Sequence, residues 1–513
     1  MDKTSSRVKN TTINSIVAIL SKILIFVLQF ICRTVFIKTL STEYLGVNGL
    51  FTNILTMLSF AELGIGSAII FKLYKPIADN NIEQIKTYMK FYQKAYTYIG
   101  LIILILGLML APFLHYIVKD IPTIKENITF IYILFLINST ISYFFTYKKS
   151  IINGYQKEYI TTIINFSCVL LQNIVQIIVL LLTKNFILYL VIQIGATLLD
   201  NICASIKANK MFPFIKDKKY NKISKDEEKK IFKDVKALVL YKLGYTISSG
   251  TDNIIISSFV GVSQVGLLSN YTTITTAIKG FITSFFNGFT SSVGNLNTSD
   301  DKDKKEDVFY QILLLSFYIY GFISIGLALL INPLIELWLG ADYLLSFGVC
   351  IALILDIYID GMRFAGGTFR NTMGLFQKGK FVPLISSGVN FVLSLILVKP
   401  LGIFGVLIAT VISRFFISTW YDPWIIHKLK FKTSFSKYIY TYFYYLIIMV
   451  VDFLICNKIC ELIAMDGLLG FFIKAIVIGL ITITIFIITT IKMKEFRGLI
   501  EKIRYMIRRK KNG

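Results

Sequence analysis

The chain has 513 residues, 55% of them hydrophobic, a mean hydropathy of +0.67 and a formal net charge of +24. No soluble domain of this length needs so much apolar sequence, which excludes a water-soluble globular enzyme and points to a membrane. The charge has the size of a nucleic-acid signature but not its distribution, because the cations are sorted by membrane side.

About fourteen apolar stretches are long enough for a hydrocarbon core of about 30 Å. In chain order they lie near 13–37, 44–71, 92–116, 127–147, 160–182, 186–206, 237–260, 265–291, 309–331, 343–366, 381–398, 402–424, 439–459 and 467–490. The span at 381–398 is the shortest, since Pro383 opens it. The first span is too long, and its flanks wrong, for a cleaved signal peptide, so it is expected to be retained. The pattern predicts an all-α integral membrane protein in five parts. A six-helix bundle covers 1–206 and a basic cytoplasmic connector 207–236. A second six-helix bundle covers 237–424, two additional spans 425–490, and a basic tail 491–513. Glu227–Val235 in the connector, and Asn81–Lys94 between the second and third spans, read as interfacial amphipathic segments.

With the N-terminus placed in the cytoplasm, 41 of the 54 lysines and arginines fall in inside segments, 6 in outside segments and seven within spans. That asymmetry places both termini in the cytoplasm and requires an even number of spans. Contact with anionic lipid accounts for most of the charge, and nucleic acid is not an expected partner.

Two stretches occupy matching places. At an offset of 220, Leu45-Gly46 falls on Val265-Gly266 and Thr52-Asn53-Ile54 on Thr272-Thr273-Ile274; at 221, Gly154-Tyr155-Gln156-Lys157 falls on Leu375-Phe376-Gln377-Lys378. A duplicated half in a membrane chain marks a transporter, because alternating access needs two bundles that move around a shared site. The loops hold no room for a soluble catalytic domain, and no phosphate-binding loop of the G-x-x-x-x-G-K-[ST] type is present. His115 and His427 are the only histidines, too few for a histidine metal site or a Ser–His triad. The six cysteines all lie in or beside apolar spans and read as reduced packing residues. Neither a metal nor a cofactor is expected, and the chain does not read as an enzyme.

The seven cations within spans are Lys22, Arg33, Lys242, Lys279, Arg363, Arg414 and Lys474. At a helix centre each costs roughly 2.5–3.5 kcal/mol on insertion scales, so each must face water, pair with an acid or snorkel to an interface. Arg33, Lys242 and Arg363 lie near enough to helix ends to snorkel; Lys279 and Arg414 sit deeper. Lys22 and Lys242 are equivalent at offset 220, and Lys22, Gln29 and Arg33 form a helix stripe that Lys242, Ser249 and Asn253 repeat. Such a stripe lines water rather than lipid. The acids Glu62, Asp200, Asp252, Asp356 and Asp360 neutralise neighbouring cations or carry a coupling ion, with pairing favoured; Asp360 and Arg363 are i,i+3 partners. Glu62 sits in Ala61-Glu62-Leu63-Gly64-Ile65-Gly66, where the glycines admit a second backbone. A cavity lined by an excess of cations implies an anionic ligand, and arginine suits diphosphate oxygens through its forked donors.

Ser15–Lys38, Leu45-Gly46, Glu62-Leu63-Gly64-Ile65-Gly66-Ser67-Ala68 and Asn153-Gly154-Tyr155-Gln156-Lys157 resemble bacterial polysaccharide flippases of the Wzx type. These belong to the multidrug/oligosaccharidyl-lipid/polysaccharide (MOP) exporter superfamily, which includes the lipid II flippase MurJ and the MATE drug exporters. The resemblance covers nearly the whole chain. It implies two pseudo-symmetric six-helix bundles in a V around a cationic cavity, with two C-terminal helices added. It further implies transfer of an undecaprenyl-diphosphate-linked oligosaccharide across the cytoplasmic membrane, with a polysaccharide polymerase and glycosyltransferases as candidate partners. Lys22, Arg33, Lys242, Lys279 and Arg363 are the candidate substrate-binding cations; Glu62, Asp252, Asp356 and Asp360 are candidates for coupling or charge pairing. A cation-coupled drug exporter and a lipid II flippase are the alternatives. The drug exporter requires an acidic cavity, which the cation excess opposes. A membrane polymerase or glycosyltransferase requires catalytic groups on a large outer loop, which the sequence lacks.

Overall fold

The computed structural model describes residues 3–59, 79–114, 124–155, 157–217, 250–297, 301–373, 381–465 and 467–501, with a few single positions between them. Glu62, Lys242 and, apart from Lys229, the segment Glu227–Val235 lie outside the described residues. The described secondary structure is helical, as apolar sequence in lipid requires: a helix satisfies its own backbone polar groups. Eight helices among the described residues are long and apolar enough to cross a membrane, or nine if the bent pair within 128–154 counts as one. Among the described residues, the expected spans 381–398 and 402–424 form one continuous helical stretch, and the span expected at 343–366 is interrupted at Arg363, which leaves Phe347–Met362 only 16 residues long.

The chain divides into two compact units, Met1–Gly266 and Leu267–Gly513. In the first, α1 (Lys3–Thr39) packs along α6 (Glu158–Thr183), which packs on α7 (Phe186–Met211). Between them in sequence come α2 (Thr42–Leu58), α3 (Ile82–Leu110), α4 (Ile128–Ile141) and α5 (Thr146–Gly154). Asn81, Asn127 and Asn185 cap α3, α4 and α7, each side chain accepting from the backbone N–H three residues on. The cap at Asn81 starts α3 before the apolar stretch begins. Residues 82–94, expected as a separate interfacial segment, are therefore the first turns of the spanning helix. The N-terminal part of the expected connector likewise continues α7 to Met211, before a short turn of 3-10 helix at Pro213–Lys216.

The second unit takes up α8 (Val262–Asn297), whose first turn lies in the first unit. It continues with α9 (Lys302–Ser316), a π-helical turn at Phe317–Gly321 and α10 (Phe322–Leu339). Next come α11 (Phe347–Met362), α12 (Phe364–Thr372), α13 (Val382–Ser413), a π-helical turn at Arg414–Ser418 and α14 (Thr419–Ile426). The added helices α15 (Ser436–Leu462) and α16 (Gly467–Thr490) pack on each other and on α10. The α13 stretch is two helices joined at Gly402, whose backbone (φ +57°, ψ −135°) is open to glycine and costly for other residues. Hydropathy places the boundary between the spans 381–398 and 402–424 at the same turn.

Within the first unit, α2 and α8 begin at Thr42 and Val262, 220 residues apart, the repeat offset read from the sequence. They also touch reciprocally. A Cβ on Gly46 would collide with the Val262 carbonyl, and a Cβ on Gly266 would lie 2.6 Å from the Thr42 carbonyl and 3.0 Å from the Gly46 nitrogen. Thr42 and Val262 are repeat equivalents, as are Gly46 and Gly266, so this is a two-fold contact of backbone on backbone that only small residues permit.

Candidate functional site

Each unit carries a helix broken at the same place in its repeat. In the first unit α4 and α5 meet at 45°. In the second, α11 and α12 meet at Arg363. Among the described residues, the second break gathers five charged side chains. Asp356 and Asp360 are one helical turn apart on α11 and share a face. Arg363 caps α11 and places its Nη1 3.4 Å from Asp360 Oδ1. Arg414 enters from the start of its π-helical turn, with Nη1 2.5 Å from Asp356 Oδ1 and 3.7 Å from Asp360 Oδ1. The wider π turn redirects a side chain that a regular helix would place elsewhere. Lys279 of α8 completes the group, Nζ to Asp356 Oδ2 at 3.7 Å. Gly361 makes room: a Cβ there would enter the Tyr320 ring, so glycine lets Tyr320 stand beside Asp360.

The group holds three cations and two carboxylates and so carries one net positive charge. Burying charge is expensive unless it is paired, and the carboxylates stabilise cations that lipid would reject. The uncompensated charge remains as an attraction for an anion, stronger here than in bulk water.

The structure thus brings together Lys279, Arg363, Asp356 and Asp360 and joins to them Arg414, an in-span cation that spacing alone did not assign to the site. Lys22 is exposed on α1 and Arg33 is half-buried beside Tyr189 of α7, both in the first unit. Asp252 is half-buried on the helical stretch 250–259. Asp200, read as a neutralising acid, lies 2.5 Å from Lys149 Nζ through its Oδ2.

The Lys149–Asp200 pair has a counterpart that sequence reasoning missed. Arg370 Nη1 lies 3.0 Å from Asp422 Oδ1, with side-chain exposures of 3% and 9%. The offset of 221 that set Gly154 on Leu375 also sets Lys149 on Arg370, so the signal was present in the repeat. Both pairs tie the short helix after the break (α5 or α12) to the helix that closes the half (α7 or α14). A second missed residue is Asp452 on α15, fully buried and accepting from Cys456 Sγ at 3.3 Å.

A family profile for polysaccharide biosynthesis proteins matches residues 11–288, more than half of the chain. No curated protein matches the chain by sequence. Among solved structures, a multidrug resistance MATE family transporter of the MOP superfamily, inward-facing, is similar with a TM-score of 0.63. The identity is 16% over 82% of this chain and 99% of that one. Lipid II flippase MurJ in an inward closed conformation is similar with a TM-score of 0.62 and 18% identity, over 95% of this chain and 99% of that one. A MOP superfamily transporter from Pyrococcus furiosus, described by a reverse polarity of its binding pocket, has a TM-score of 0.51 and 16% identity. It covers 80% of this chain and 92% of its own. At these identities the likenesses establish a shared fold: an all-helical, multi-pass membrane protein built as MOP transporters are.

Proposed function

This chain belongs to the polysaccharide biosynthesis protein family, and from that premise we propose that it is a carrier that flips an undecaprenyl-diphosphate-linked oligosaccharide across the cytoplasmic membrane by alternating access. The observation that carries this reading is the cation excess among Lys279, Arg363 and Arg414 over Asp356 and Asp360. A diphosphate brings the opposite charge and the planar oxygen pairs that arginine binds in a fork. A cationic drug would meet repulsion at the same group, which disfavours a drug exporter. The glycan itself is polar and needs a wet passage, which the in-span charges of both units support. Glycosyltransferases that build the repeat unit and a polymerase that consumes it are the partners this activity requires.

Lys279→Gln is the test. It neutralises the group while leaving Asp356 to Arg414 and Asp360 to Arg363, so each carboxylate keeps a partner and folding is preserved. A unit charge at 4 Å contributes at most about 4 kcal/mol at an effective dielectric of about 20, and the expected loss of export, about tenfold, lies within that bound. Lys279→Arg should retain export. Normal surface polysaccharide in the Lys279→Gln strain, with the protein in the membrane at wild-type level, contradicts the proposal. Reversing the charges of Lys22 and Arg33 together is likewise expected to abolish export without loss of the protein from the membrane.

A further inference from the structure

The added helices α15 and α16 meet the second bundle at the π-helical turn Phe317–Gly321. The Phe317 ring stacks on Tyr445 of α15 with centroids 4.5 Å apart and lies 4.3 Å from the ring of Phe486 of α16. Thr490 of α16 donates to the Phe486 carbonyl at 2.7 Å, which leaves its oxygen to accept from the Tyr318 hydroxyl at 2.6 Å. Phe317, Phe486 and Thr490 are each at most 1% exposed. Gly321 closes the junction, since a Cβ there would lie 3.0 Å from the Phe486 ring.

The same five residues reach the ion-pair group from the other side. The Tyr320 ring rests against the backbone of Gly361, two residues before Arg363. Phe286 of α8 stacks on Tyr320 at 5.9 Å, with the ring planes 11° apart. Phe286 in turn meets Phe364 at 4.3 Å, and Phe364 follows Arg363 in the chain. Tyr320, Phe286 and Phe364 therefore bracket the break between α11 and α12, where Asp360 and Arg363 stand. Aromatic pairs at these separations prefer particular orientations, so they fix direction as well as bury area. In a regular helix residues three apart share a face, and Phe317 and Tyr320 would point the same way. The wider i→i+5 turn directs Phe317 to the added helices and Tyr320 to the break. Such turns are rare and concentrate at functional sites.

We propose that α15 and α16 position Arg363 and Asp360 through this turn, so that the added helices tune the affinity of the ion-pair group for a diphosphate. The inference rests on the carrier reading above and gives the two added helices a part in it. Tyr318, Tyr320 and Phe486 are positioning residues, acting through Gly361 and Phe286 rather than on the ligand. Close-packed interiors transmit strain because they hold few voids to absorb it. Without the Phe486 ring, Phe317 loses a neighbour, the turn relaxes toward α16 and Tyr320 withdraws from Gly361.

Binding of farnesyl diphosphate to the full chain in lipid nanodiscs, read by calorimetry beside Tm, tests the inference. Phe486→Ala is expected to weaken binding by about fivefold or more, the usual size of a coupling between separate sites. Phe486→Leu, which keeps an apolar contact, should retain most of the affinity. Thr482→Val is the control. Thr482 is fully buried on α16 but faces Cys456 of α15 at 3.8 Å, so Tm should fall while affinity stays. In a Tyr320→Leu background Phe486→Ala should cost no further affinity, because the path is already cut. A Phe486→Ala protein that loses Tm but binds as wild type overturns the inference, as do additive losses in the double variant. Tyr318→Phe removes one hydroxyl and no packing, and decides on the same terms if Phe486→Ala does not fold. Absence of binding to the wild-type protein removes the carrier reading and the inference together, whereas wild-type binding that Phe486→Ala leaves unchanged removes the inference alone.

Discussion

Replacing Arg370 with methionine is expected to remove most of the folded protein from the membrane. Arg370 is 3% exposed at its side chain and its guanidinium holds Asp422, itself 9% exposed. Methionine keeps much of the volume but leaves a buried carboxylate without its counter-charge. Breaking a buried pair from one side costs about 3–5 kcal/mol, a large share of the stability of one bundle. The double variant Arg370→Met with Asp422→Leu removes both charges and should recover much of the loss, because the penalty lies in the orphaned partner and not in the absence of the pair. Lys149→Met should cost less, since Lys149 is 27% exposed and water can reach Asp200. Yield and Tm of the detergent-solubilised protein, ranked Arg370→Met below Lys149→Met below the double variant, check the argument. Equal values for all three contradict it.

Gly46→Val is expected to abolish export, and Gly266→Val to do the same. The new Cβ at either position meets backbone of the other repeat: the Val262 carbonyl for Gly46, the Thr42 carbonyl for Gly266. Backbone cannot swing aside as a side-chain tip can, so α2 and α8 must separate. Overpacking typically costs about 1–3 kcal/mol, with backbone contacts toward the upper end. Gly195→Ala is the control. A Cβ there meets nothing within 4 Å, so export and Tm should be unchanged or slightly raised. Surface polysaccharide and Tm in the three variants decide the matter. A tolerated valine at both Gly46 and Gly266 shows that the reciprocal contact is not needed in the transport cycle.

Local features of the site could be read from the sequence and non-local ones could not. The repeat offset of 220 was legible in matched residues, and α2 and α8 begin at that same separation, because helix starts recur when a unit is duplicated. The Asp360–Arg363 pair was legible because partners three apart on a helix must face one another. The Arg414–Asp356 pair was not, since it joins two helices whose relative rotation no single-helix period fixes. The role of Arg414 depends further on a π-helical turn, which leaves no clear mark in composition. Leu45-Gly46 and Val265-Gly266 stood out as matching text, but the pattern did not reveal that the two glycines touch. The burial of Tyr438, Tyr442 and Tyr445 on α15 was not legible either, because hydropathy does not report which face of a span packs inward.

The most direct measurement follows the lipid-linked glycan in cells depleted of this protein, with a membrane-impermeant probe that reacts only with sugars on the outer leaflet. A carrier of diphosphate-linked glycans predicts that the intermediate accumulates and stays unreactive until the cells are opened, and that wild-type protein restores its reactivity while the Lys279→Gln variant does not. An intermediate that reaches the probe at the normal rate in depleted cells contradicts the account.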